Sequence, residues 1–97
     1  MKVELSAEAQ AQVEKIDSWW RRHRQLSPDL FTQELEGAFR ALGEVPTLGV
    51  RYEAGRPSVR RLLLRRSHYH LYFVQERDDR LYIVAVWSAF RGRGPKL

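Results

Sequence analysis

The spacing of apolar residues changes character halfway along the chain, and that change limits the fold more than any other feature. In the first half they recur every three to four positions. Ala9, Val13, Ile16, Trp20 and His23 make one helical stripe, and Phe31, Leu35, Ala38, Phe39 and Leu42 make a second. After Pro57 the pattern turns to strands: 58–66, 69–75 and 81–88 are rich in Val, Ile, Leu, Tyr and Phe. Helices segregated from strands along a chain predict an α+β domain.

Local punctuation sharpens this. Residues 2–5 alternate and read as a short strand. Ser6 is placed to cap a helix running from 7 to about 26, with Glu8 in its first turn. Ser27, Pro28 and Asp29 read as the N-cap, first position and dipole-facing acid of a second helix, and Gly43 as the residue that ends it. So short a link predicts an antiparallel αα-hairpin. Pro46, Gly49, Gly55 and Pro57 break 43–57 into loop, with room for a short strand near 50–53. Glu76, Arg77, Asp78 and Asp79 form a polar turn that makes the last two strands a hairpin. The expected order is β-α-α-β-β-β: a small, mainly antiparallel sheet with one face covered by the αα-hairpin and the other partly open. Residues 89–97 carry two glycines and a proline and read as a basic, flexible tail on a single domain spanning 1–97.

Composition bounds the function. With 97 residues and 43% apolar content, the chain supplies one core and not two. It has no cysteine, which excludes a disulfide scaffold and a thiolate zinc site. No apolar run is long enough for a membrane helix and no secretory leader is evident, so a cytoplasmic protein is expected. Residues 1–48 hold six cations against eight anions; residues 49–97 hold eleven cations, ten of them arginine, against four anions. A basic half rich in arginine favours an anionic partner. Alternation sends Arg61 and Arg65 to the open face and Arg60 and Arg66 to the face that carries Leu62 and Leu64. His68 and His70 share one side of a strand in this reading, but with His23 as the third histidine no metal site is expected, and no cofactor. No nucleophile elbow, phosphate-binding loop or paired carboxylates are present. Trp19, next to Trp20 but pointing about 100° away, is free to meet a partner, with Arg22 beside it.

These segments together resemble one family. The stretch RRLLLRRSHYHLYF followed by LYIVAVWSAFRGRGP resembles the RelE/ParE superfamily of toxins from type II toxin–antitoxin modules. The shared features are an arginine-bearing strand (Arg60, Arg61), a tyrosine-rich strand (Tyr69, Tyr72) and a last strand running Val84–Trp87 into Arg91 and Arg93. The helix sequence FTQELEGAFRAL and the Pro46–Gly49 loop fit as well. The resemblance implies a growth-inhibiting toxin of the kind that serves plasmid stabilisation, held inactive by a cognate antitoxin. One branch poisons DNA gyrase; another is a ribosome-dependent mRNA endonuclease. For target or nucleic-acid contact it implies Arg60, Arg61, Arg65, Arg66, Tyr72, Arg91 and Arg93, with Arg61, Arg65 and Arg91 as candidate catalytic cations. For antitoxin contact it implies Trp19 and Arg22. Two departures turn the reading towards the ParE-like, non-enzymatic branch: Ser88 stands where many relatives carry histidine, and no tyrosine follows Trp87. The alternatives are a RelE-like ribosome-dependent mRNA endonuclease and a non-toxic relative that binds nucleic acid or protein.

Overall fold

In the computed structural model, which describes residues 1–52, 58–77 and 79–97, the chain runs through seven elements. They are β1 (Lys2–Leu5), α1 (Ala7–His23), α2 (Leu30–Glu44), β2 (Val50–Arg51), β3 (Arg60–Leu64), β4 (Tyr69–Arg77) and β5 (Arg80–Ser88). The strands form one sheet in the order β1-β5-β4-β3-β2. From β2 to β5 it is an antiparallel meander, and β1 joins β5 in parallel, Lys2 opposite Arg80 and Leu5 opposite Ile83. The α+β class and the helical cover on one face follow the sequence expectation. The order gains one strand: the short segment expected near 50–53 is a two-residue strand that lengthens the meander.

Helix α1 starts where Ser6 predicts. The Ser6 hydroxyl accepts the Ala9 N–H at 3.0 Å, satisfying one of the donors a helix start leaves free. Its end comes earlier than expected, at His23, with the Arg24 N–H on the Trp20 carbonyl. The second helix begins later, at Leu30. Asp29, not Ser27, is its N-cap residue, and makes no side-chain cap. The Asp29 carboxylate instead takes the Arg21 guanidinium at 2.9 Å, tying the two helices together. Gly43 does not end α2; Val45 does, with its N–H on the Ala41 carbonyl. A Cβ at Gly43 would sit 3.3 Å from the Met1 carbonyl, so the glycine lets the start of the chain pass close to the helix.

The main core lies between hairpin and sheet. Phe31, Leu35, Ala38 and Leu42 from α2 and Ala9 and Trp20 from α1 meet Leu64, Leu71, Phe73, Leu81, Ile83 and Val86. Each large side chain buried this way contributes about 1.5–3 kcal/mol. A bulge in β5 then supplies a second, smaller cluster on the opposite face. Phe73 pairs with Ile83 but Tyr72 with Ala85, leaving Val84 extra. The period slips by one, and Val84, Ala85 and Trp87 join Val59 and Tyr72 on the underside.

Candidate functional site

Two surfaces place cationic side chains beside aromatic rings. The first is the underside, built by β3 and β4. Arg61 stands opposite Tyr72 in the β3–β4 ladder. Its guanidinium lies over the Tyr52 ring, 5.2 Å from the centroid. Tyr52 and Tyr72 meet edge-to-face at 4.8 Å, and His70 lies 6.1 Å from Tyr72. Burial, and then the Arg61 charge, lowers the His70 pKa, so its imidazole is neutral near pH 7. Burial raises the Tyr72 phenol, with the nearby Arg61 opposing that rise.

The four arginines expected around the second strand of the meander separate. Arg60 is spent internally: it donates to the carbonyls of Thr47 at 2.7 Å and Gly49 at 3.1 Å, closing the loop before β2. Gly49 has φ +82°, and a Cβ there would strike the Arg61 carbonyl, so glycine is required where the loop crosses β3. Arg65 lies beyond the end of β3, at the rim of a shallow groove with Glu34, Gly37 and Ala38 of α2, instead of sharing a strand face with Arg61. Arg66 lies in the β3–β4 turn, where Glu34 accepts its backbone N–H at 2.8 Å. The expected alternation needed a strand reaching 66; β3 stops at Leu64. The two neighbouring histidines part company for a similar reason. His68 sits in the turn at φ +65°, its ring 4.8 Å from Phe90, whereas His70 lies in the strand facing Tyr72.

The second surface is a groove of about 570 Å³ between α1 and the end of β5. Lys15, Trp19 and Arg22 line it at i, i+4 and i+7 on α1, and Trp87, Ser88 and Arg91 face them. Among the described residues, no carboxylate lines it. Trp19 and Arg22, expected together at a partner surface, do share this groove. Trp19 stacks on His23 at 4.8 Å and carries Arg24 at 5.0 Å. Trp20 turns inward instead, its indole donating to the Tyr69 hydroxyl at 3.3 Å. Arg91 lies over the Trp87 ring at 4.4 Å.

Of residues 89–97, expected as a tail, the last five lie against the underside, while Ala89 and Phe90 sit on the His68 turn. The Trp87 indole N–H donates to the Arg93 carbonyl at 2.8 Å. Pro95 is buried and Leu97 packs on the Val59–Tyr72–Ala85 cluster. Tyr52, Lys15 and Trp87 were not singled out from sequence. Tyr52 reaches the site through a loop, and Trp87 through a bulge, and neither carries a periodic signal.

A family model for the ParE toxin of the type II toxin–antitoxin system parDE matches residues 3–91. The chain belongs to the ParE toxin family. Among solved structures it is similar to the chromosomal ParDE toxin–antitoxin system of P. aeruginosa, with TM-score 0.73, 18% identity, and coverage of 91% of this chain and 95% of that one. It is also similar to the intact E. coli RelBE toxin–antitoxin complex, with TM-score 0.60, 18% identity, and coverage of 92% and 96%. At these identities the likeness is one of fold. No curated protein matches the chain. The ParE match ends at Arg91, two residues before the segment that crosses the underside.

Proposed function

We propose that this ParE-family toxin inhibits growth by binding a macromolecular target such as DNA gyrase through its underside, and that a cognate antitoxin neutralises it from the α1–β5 groove. The observation that carries the binding reading is the separation of the three candidate catalytic cations. Arg61 lies over Tyr52, Arg91 over Trp87, and Arg65 at the edge of α2. A cleaved phosphodiester needs several donors aimed at one developing charge. A bound protein or duplex needs only complementary charge spread over a surface. Arg61 serves as the target contact in this reading, with the exposed side chains of Arg91 and Arg93 flanking it; Tyr72, expected as a contact, is buried beneath Tyr52 and Gly94 and supports the surface from within. For the antitoxin, the groove that holds Trp19 and Arg22 presents three cations to an acidic segment that orders on binding. Among the described residues no helix is long and apolar enough to cross a membrane. A gyrase or ribosome target implies a cytoplasmic protein.

One observation favours a second reading. A neutral His70 beside Arg61 and Tyr72 pairs a proton acceptor with a phosphate-binding cation, the minimum for attack by a ribose 2′-hydroxyl. Controlled expression separates the readings. A DNA-damage response with intact mRNA supports the gyrase-type toxin, and rapid cleavage of translated mRNA supports the endonuclease. Unimpaired growth at high expression leaves a non-toxic binding relative.

A further inference from the structure

The strand end at Trp87 and the segment after it join the two surfaces. Trp87 packs with the underside cluster of Val59, Tyr72 and Ala85, and it also lines the groove opposite Trp19 and Arg22. Arg91 lies over its ring on the groove side, and its indole N–H holds the Arg93 carbonyl. From there the chain crosses the underside as a strap. Gly94 lies against the Tyr52 and Tyr72 hydroxyls so closely that a Cβ would strike the Tyr52 oxygen. Pro95 is buried, and Leu97 packs, as Tyr52 does, on the cluster of Val59, Tyr72 and Ala85. The strap covers the two phenols and is pinned through a residue of the groove.

We infer that an acidic segment seated in the α1–β5 groove holds this strap shut over the Tyr52–Tyr72 face, acting through Arg91 and Trp87. The inference rests on the reading of the groove as the antitoxin site. A carboxylate against Arg91 fixes the guanidinium on the indole face. A fixed indole keeps its N–H aimed at the Arg93 carbonyl, and that bond keeps Gly94 on the phenols. By linkage, whatever tightens the strap through the groove is itself bound more tightly when the strap is shut. The partner then masks a target face that it does not touch, and Trp87 is the positioning residue that couples the two.

The test uses the full-length chain and a 16-residue amphipathic peptide of glutamate and leucine, free of tyrosine and tryptophan, as probe. Binding is read from tryptophan fluorescence. Strap opening is read from tetranitromethane nitration of Tyr52 and Tyr72, mapped by mass spectrometry with Tyr82 as reference. Saturating peptide is expected to slow nitration of both tyrosines about fivefold, the low end of typical allosteric coupling. Trp87→Phe keeps a ring for Arg91 but loses the N–H donor, and nitrates fast with or without peptide. Leu97→Asp frees the far end of the strap without touching Trp87 and also nitrates fast. Unchanged wild-type nitration with peptide bound overturns the coupling and leaves the groove reading intact. Wild-type rates in both variants show that the strap is no cover, which also overturns it. Peptide that fails to saturate, or binds Arg22→Glu equally well, removes the groove reading and the inference with it.

Discussion

Glu34, on α2, holds the β3–β4 turn by accepting both the backbone N–H and the hydroxyl of Ser67, at 2.9 and 2.6 Å. The Arg66 N–H joins them at 2.8 Å. A turn with Ser67 buried and His68 at positive φ has few other ways to satisfy its donors. This carboxylate is therefore the clasp between helix layer and sheet edge.

Removing that charge loosens the clasp. Glu34→Gln keeps one acceptor oxygen, so at least one of the three bonds is lost to the amide NH2 and the rest lose their ionic character. The expected loss is about 1–3 kcal/mol of stability in urea titration at pH 7. The effect depends on pH with a definite sign. Burial pushes the Glu34 carboxyl up, but hydrogen bonds from Ser67 and Arg66, with the Arg66 charge, outweigh it and hold the carboxyl below its ordinary value. A carboxyl depressed in the folded state stabilises above its unfolded pKa of about 4.3 and loses that contribution as pH falls through the folded value. The gap between wild type and Glu34→Gln should close on going from pH 7 to pH 3.

The Arg61 charge adds to the burial that disfavours protonation of its neighbour His70. His70 is depressed first by burial and second by the Arg61 charge. Arg61→Gln removes the second cause and leaves the first. The His70 titration midpoint, followed by NMR of the ring protons, should move up and remain below the ordinary value of about 6.5. The same variant should abolish growth inhibition if the underside meets the target. Arg65→Ala, altered at the edge of α2, should leave growth inhibition intact.

Much of this architecture was legible in the residues. Ser6 caps a helix because its hydroxyl is the right length for the purpose, whatever packs above it. The α2 stripe from Phe31 to Leu42 is buried because a 3.6-residue period has one place to go in a two-layer domain. What escaped depends on events that leave no periodic trace. The Val84 bulge shifts Ala85 and Trp87 to the underside, and a strict period of two cannot announce it. Arg60 satisfies two loop carbonyls, which needs knowledge of where the loop returns. The C-terminal glycines look like flexibility in sequence. In the fold, Gly94 is where the chain must press against Tyr52.

Gly49 tests the loop closure that fixes Arg60. It combines a left-handed φ of +82° with a Cβ direction pointing into the Arg61 carbonyl. Gly49→Ala meets both the conformational penalty and the collision, so the loop must shift and the Arg60 bonds to Thr47 and Gly49 break. The expected destabilisation is about 2–4 kcal/mol in thermal or urea unfolding. Gly37→Ala is the control: a Cβ there meets nothing within 4 Å, and alanine favours the helix by about 1 kcal/mol, so stability should rise.

The groove makes the last prediction, and it separates charge from shape. Lys15 and Arg22 lie on one face of α1, about two turns apart and exposed, with Trp19 between them. Reversing both charges changes little in the fold, because exposed substitutions away from caps and core stay within about 0.5 kcal/mol. Association with an acidic antitoxin is steered by those charges before contact is made. Lys15→Glu with Arg22→Glu should therefore cut the association rate with a purified cognate antitoxin at least tenfold at low salt, and the deficit should shrink as salt is raised. Trp19→Ala should act in the other kinetic limb, raising the dissociation rate with little change in association or in its salt dependence. Surface plasmon resonance across an ionic-strength series reads both. A groove that merely happens to be basic would leave both rates unchanged in all three altered positions.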